Sequence, residues 1–284
     1  MIPANFDYES PRTLSEALDL LASREDAKVL AGGHSLLPAM KLRLAQPSLL
    51  VDIGRIGGLS YIRESGDQIL IGAMTNHAEV AASKLLQRSS PLLAQTATEI
   101  GDTQVRNRGT IGGSLAQAHP SADYPAAILA LDAELVVHSR KGERVIPATK
   151  FFTGMFSTQL HSDEILTEIR VPKTAGEGTA YKKFHHPASG YAVVGTAVRL
   201  KMSGGKADTV AIGITGVSDI AYRATQVENA LRGKPASAIA DAAAHATDGV
   251  EVLGDYYAST EYRRHLAEVL TRRALAQAAA GRKP

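Results

Sequence analysis

The sequence contains no cysteine in 284 residues. That excludes disulfides, Cys-ligated zinc and any iron–sulfur cluster held by this chain. No run of about 18 apolar residues occurs, so no helix is expected to span a membrane. The start, Met1-Ile2-Pro3-Ala4-Asn5-Phe6-Asp7-Tyr8, lacks the basic and apolar regions of a secretory signal, and a cytoplasmic location is the expectation. Charge of one sign is also scarce. The net charge of +2 is too mild for a nucleic-acid partner. Several site motifs are missing as well. There is no Gly-x-Gly-x-x-Gly, no His-Glu-x-x-His and no Gly-x-Ser-x-Gly. Gly205-Lys206 and Gly233-Lys234 lack the upstream glycine of a phosphate-binding P-loop, because Leu200 and Glu228 stand there. The adjacent His185 and His186 would point to opposite faces of a strand, which suits no single metal.

What is present is an ordinary globular composition, 44% hydrophobic and 21% charged, in a chain longer than one usual domain. Thr13-Leu14-Ser15-Glu16 is a capping box, followed by Leu14, Ala17, Leu18 and Leu21 on one helical face. A strand at 28–31 meets Gly32-Gly33-His34-Ser35, and a helix is expected from Leu36 to about Leu44. A strand at 49–53 completes a small α/β unit over residues 1–55. A second unit, 56–176, has strands at 68–72, 134–138 and 165–172, with helices near 76–87, 91–101 and 124–131. In the third, 177–284, alternating Val194, Thr196, Val198, Leu200 and Met202 and the turn at Ser203-Gly204-Gly205-Lys206 predict a hairpin. Helices near 221–231, 236–247 and 260–279 follow, and the Gly281–Pro284 tail is expected to fray.

Two glycine-rich segments carry the chemistry. Ala31-Gly32-Gly33-His34-Ser35-Leu36 lies at a strand-to-helix junction, where glycine lets backbone N–H groups approach an anion. The bland alternative is a tight turn with Ser35 as N-cap. Thr110-Ile111-Gly112-Gly113-Ser114, with Asp123 nine residues on, offers hydroxyls, close backbone and a carboxylate acceptor. Its bland alternative is a bulged loop, with Asp123 capping a helix that starts at Tyr124-Pro125. Together they suggest one long ligand with two phosphates.

The first segment, the run Arg106-Asn107-Arg108-Gly109-Thr110-Ile111-Gly112-Gly113-Ser114 and His119-Pro120-Ser121-Ala122-Asp123 together resemble the FAD-binding medium subunits of the molybdenum hydroxylases. This is the xanthine dehydrogenase superfamily, and carbon monoxide dehydrogenase medium chains are its nearest members in pattern. The resemblance spans nearly the whole chain. It implies an α+β fold: two α/β FAD-binding subdomains of the vanillyl-alcohol-oxidase (PCMH) type, 1–55 and 56–176, then a C-terminal domain, 177–284, of a three-stranded antiparallel sheet with helices. It implies FAD on this chain, [2Fe–2S] clusters on a small partner, a molybdenum cofactor on a large one, and a dimer of heterotrimers. By residue, it implies one pyrophosphate loop at Val29, Leu30, Ala31, Gly32, Gly33, His34, Ser35 and Leu36. It implies a second at Thr110, Ile111, Gly112, Gly113 and Ser114. Asp123 would be a carboxylate against FAD, Ile100 and Leu166 apolar contacts, Lys182 a cation near the flavin and Tyr191 an aromatic beside it. Lys183 adjoins Lys182, so which of the two faces the flavin stays open. His34 and His119 stand where relatives vary, so their side chains are expected to be dispensable. The flavin itself carries the redox chemistry, and no catalytic side chain is expected. Two other readings remain open: a non-redox diphosphate or nucleotide-binding subunit, and a self-contained flavin oxidase.

Overall fold

A computed structural model of the protein describes residues 1–281. The first unit is a parallel sheet in which Leu49–Asp52 lies between Asp7–Glu9 and Lys28–Leu30. The helix Leu14–Ser23 joins the outer two strands. Thr13 Oγ1 accepts from Glu16 N–H at 3.2 Å, and Glu16 Oε2 accepts from Thr13 N–H at 3.3 Å. The helix buries Ala17, Leu18 and Leu21 against the sheet, as the apolar spacing predicts.

The second unit is a five-stranded antiparallel sheet, ordered Ile62–Ser65, Gln68–Gly72, Ile165–Pro172, Glu134–Ser139, Gly142–Pro147. Ile71, Ile169 and Leu135 stand in register across three neighbouring strands. All three are fully buried beneath the helices Pro91–Thr98 and Asp123–Ala130.

The third unit is the sheet Gly178–His185, Ala192–Ser203, Lys206–Thr215, Tyr222–Arg223. Gly204 and Gly205 turn its central hairpin with φ of +56° and +76°, a conformation that only glycine adopts without strain. This sheet is covered on both faces. Val198 and Ala180 face the C-terminal helices, whereas Ala197 and Tyr181 face the core of the second unit. The long helix Thr260–Ala279 approaches so closely that a β-carbon on Gly178 would lie 1.9 Å from the Ala278 carbonyl. On the other face, a β-carbon on Gly213 would lie 2.0 Å from the Ala126 carbonyl.

Several expected elements differ. The helix expected over 76–87 breaks at Ser83, whose hydroxyl accepts from Leu86 N–H and starts a second helix, Lys84–Ser89. The helix after the first glycine segment ends at Lys41 rather than Leu44. The C-terminal sheet gains a fourth, two-residue strand, Tyr222–Arg223, which delays the next helix to Thr225–Leu231. The helix expected over 236–247 shrinks to Ile239–Ala243 behind a 3-10 turn. The segments Thr103–Arg108 and Ile111–Gln117 are helices that periodicity did not reveal. Of the tail expected to fray, Gly281–Pro284, Gly281 N–H donates to Ala278 O at 3.2 Å, and 282–284 lie outside the described residues.

The seam at Gly213 predicts a stability effect. Gly213→Ala drives a β-carbon into backbone on the facing helix and should cost about 1–3 kcal/mol, the usual cost of overpacking. Gly57→Ala, which meets open space, should leave the urea midpoint unchanged. Equal midpoints for the two variants would show that the seam relaxes freely.

Candidate functional site

Loops from all three units converge on one cleft of about 880 Å³, within the usual range for a cofactor site. Its walls include Val29, Ala31 through Leu36, Ile100, Thr110, Gly112 through Ser114, Asp123, Leu166 and Tyr191. Leu30 and Ile111 are not wall residues, and Ile111 is fully buried in the core.

The first glycine segment is an open set of donors. Gly33 adopts φ +78°, which reverses the chain between the strand and the short helix Leu36–Lys41. The backbone N–H groups of Gly32, Gly33, His34, Ser35 and Leu36 donate to no protein acceptor among the described residues. Ser35 makes no side-chain cap bond, so its hydroxyl is free as well. Successive unpaired N–H groups form a concavity suited to an anion.

The second segment is built differently. Its backbone donors are used inside the protein. Ile111 N–H donates to Thr75 O at 3.0 Å, Gly112 N–H to Ala73 O at 2.8 Å and Ser114 N–H to Thr110 O at 3.0 Å. Gly113 N–H donates to Thr110 Oγ1 at 3.1 Å, which caps the helix Ile111–Gln117. The segment therefore offers the Thr110 and Ser114 hydroxyls and a surface without side chains. Gly112 is required by packing, since its β-carbon would lie 2.5 Å from that of Ala73. Gly113 has no positive φ; a β-carbon there would meet Thr110 Oγ1 at 2.8 Å and Ala31 at 3.4 Å. The two segments touch at Gly32, where a β-carbon would fall 2.2 Å from the Arg108 carbonyl.

Asp123 does not cap its helix, contrary to the simpler expectation. Its carboxylate accepts from the Tyr181 hydroxyl at 2.5 Å and from Lys183 Nζ at 2.9 Å. Burial pushes the carboxyl up, while Lys183 and the Tyr181 hydrogen bond pull against it. The period of two along Gly178–His185 resolves the adjacent lysines. Lys183 shares the Asp123 face with Tyr181, and its side chain is fully buried. Lys182 falls on the opposite face with Ala180 and Phe184, and neither lysine is itself part of the cleft wall.

Tyr191 stacks on His119, with ring centroids 4.3 Å apart and planes at 13°. Phe156 meets His119 edge-on at 5.1 Å. His119 Nδ1 accepts from Ser121 N–H at 3.0 Å, and burial holds its pKa down, so the ring is neutral with its proton on Nε2. His119 is thus part of an aromatic wall of the cleft. His77, not singled out from the sequence, also lines the cleft and packs edge-on against Tyr124 at 5.3 Å. Burial, with smaller contributions from His34 and Arg106, pushes its pKa down to about 4. No group of His, Asp and Glu suited to a metal ion occurs among the described residues.

Residues 4–174 match the family described as FAD binding domain in molybdopterin dehydrogenase, and residues 179–278 match the CO dehydrogenase flavoprotein C-terminal domain. The carbon monoxide dehydrogenase medium chain of Hydrogenophaga pseudoflava is 42% identical, with 97% of each chain covered. The glyceraldehyde dehydrogenase medium chain of Sulfolobus acidocaldarius is 34% identical over 98% of this chain and 100% of the relative. A solved structure of the Hydrogenophaga pseudoflava carbon monoxide dehydrogenase, lacking the Mo-pyranopterin moiety, superposes with a TM-score of 0.96 and 43% identity, covering 99% of each chain.

The neutral His77 makes stability depend on pH. Its folded pKa lies below the unfolded value of 6.5, so the unfolded chain binds more protons between pH 6.5 and about 4. Stability should therefore fall by about 2 kcal/mol from pH 7 to pH 5 through this residue. In urea titrations, His77→Gln should lose less stability over that interval than the wild type does. Parallel profiles would show that His77 does not titrate with unfolding.

Proposed function

This chain belongs to the FAD-binding medium subunits of the molybdenum hydroxylases, and we propose that it binds FAD in the cleft as the electron-transfer flavoprotein of a carbon monoxide dehydrogenase-type complex. The observation that carries the reading is the row of unpaired N–H groups from Gly32 to Leu36, set in the same cleft as the Thr110 and Ser114 hydroxyls. A diphosphate satisfies donors on both sides, which one phosphate does not. Asp123 adds an acceptor for an N–H or O–H of the ligand. Ile100 and Leu166 supply apolar wall, and the Tyr191–His119 stack supplies a flat aromatic face.

When bound, FAD would supply the redox chemistry of a relay between [2Fe–2S] clusters of a small partner, served by a molybdenum cofactor of a large one, and an external acceptor. This chain's residues hold and orient the nucleotide. The lack of cysteine fits such a division of labour, because a chain that ligates no cluster must borrow one. We further read 1–55, 56–176 and 177–284 as three domains, a dimer of heterotrimers as the assembly and the cytoplasm as its place. Relatives named for carbon monoxide and for glyceraldehyde match along the same full length. Substrate choice is therefore assigned to the large partner.

Flavin released by heat from the assembled complex should chromatograph as FAD; recovery of FMN would defeat the reading. Gly113→Val should lower FAD content at least tenfold while leaving the far-ultraviolet circular dichroism unchanged. A folded Gly113→Val complex with full FAD would remove this segment from the site.

The chain alone should reduce no dye with carbon monoxide, aldehydes or purines, and the three-subunit complex should. Substrate-dependent turnover by the isolated chain would replace the electron-transfer reading with a self-contained oxidase.

A further inference from the structure

The wall of the cleft contains a carboxylate with almost no access to water. Asp123 is 4% exposed, yet it faces the cavity. It stands in the first turn of the helix Asp123–Ala130, and both of its protein partners come from the strand Gly178–His185. The Tyr181 hydroxyl donates at 2.5 Å and Lys183 Nζ at 2.9 Å. Lys183 is itself clamped: its ammonium also donates to the Glu99 carbonyl at 2.8 Å, and none of its side chain reaches solvent. A buried ammonium and a buried carboxylate are each costly alone and tolerable together. A carboxylate has about four lone-pair sites. These two donors leave acceptor capacity on the side toward the cleft.

We propose that Lys183 and Tyr181 are positioning residues that keep Asp123 ionised and fixed as a hydrogen-bond acceptor for an N–H or O–H of the bound flavin nucleotide. The inference rests on the flavin-binding reading of the cleft and adds the groups that set the polarity of its acceptor. The titratable groups around Asp123 are few. Lys183, Tyr181 and His185 belong to the strand, and Tyr124 follows Asp123 on its own helix. The Glu99 carboxylate, at the end of the helix Pro91–Thr98, is paired with His185 at 3.0 Å. Only Lys183 brings a positive charge into direct contact with the carboxylate among the described residues. Burial is the largest influence and leaves the Asp123 carboxyl above its ordinary value, while Lys183 holds it below where burial alone would put it. Without the ammonium, only the Tyr181 hydrogen bond and the His185 charge oppose burial, and the carboxyl takes up a proton. Protonation removes the charge and turns one acceptor oxygen into a donor, so the contact with a ligand N–H or O–H weakens.

The test uses the chain assembled with its partner subunits, stripped of flavin and titrated with FAD between pH 5 and 9. Wild-type affinity should vary with pH far less than that of the lysine variant. In Lys183→Met, affinity should fall about tenfold per pH unit below the new carboxyl pKa, because ligand and proton compete for one group. Lys183→Arg, which keeps the cation, should restore the wild-type profile. Asp123→Asn should bind more weakly at every pH with no slope of its own. In flavin-free protein, infrared difference spectra should show a protonated-carboxyl band in Lys183→Met that is absent from the wild type and from Lys183→Met paired with Asp123→Asn. Where Lys183→Met does not fold, Tyr181→Phe keeps the ion pair, removes one donor, and should weaken FAD and give the affinity a measurable pH slope. A wild-type profile at wild-type affinity in Lys183→Met, or in Tyr181→Phe where that variant stands in, overturns the proposal. A wild-type complex that takes up no FAD at any pH instead overturns the flavin reading beneath it.

Discussion

Backbone meets backbone at the seams of this protein, and that closeness constrains everything else. At Gly32 a β-carbon would lie 2.2 Å from the Arg108 carbonyl, and at Gly112 it would lie 2.5 Å from Ala73. The same closeness recurs at Gly213 against Ala126 and at Gly178 against Ala278. None of these glycines has a positive φ, so their need is steric rather than conformational. The first two bring the walls of the cleft together. The last two seat the third sheet between a helix of the second unit and its own long helix. Packed interiors absorb little extra volume, so removing any of these contacts shifts whole elements.

Much of this was readable from local pattern. The capping box at Thr13 and Glu16, the hairpin at Ser203–Lys206 and the helix Thr260–Ala279 follow from residue type and spacing alone. The misses have physical reasons. The helix Thr103–Arg108 buries no residue, so it carries no apolar stripe to detect. The helix Ile111–Gln117 contains adjacent glycines, poor helix formers. It exists because Thr110 caps it and Ala73 and Thr75 accept its first N–H groups. Those partners lie far back in the chain.

The cleft divides in the same way. Its glycine segments were visible as motifs, but their different construction was not. One leaves its N–H groups open; the other spends them on tertiary contacts and offers hydroxyls. Likewise, the Tyr191–His119 stack and the pairing of Lys183 rather than Lys182 with Asp123 depend on strand register and on the approach of distant loops. Residue identity signals such groups weakly, whereas alternation along Gly178–His185 decides the lysines once the strand is placed.

The helix Asp123–Ala130 turns its first residue to the cleft and, one turn on, lays Ala126 against Gly213. Both partners of the Asp123 carboxylate come from the same third sheet. Residues 4–174 and 179–278 match two separate families, but the fold does not treat them as separable. Cut between them, the first part would keep both glycine segments and lose every cation and hydroxyl that holds its buried acid. It would also bare the apolar side of that helix to water. The two modules are therefore mechanically one: the strand Gly178–His185 of the second supplies the lysine and the tyrosine that hold the acid of the first.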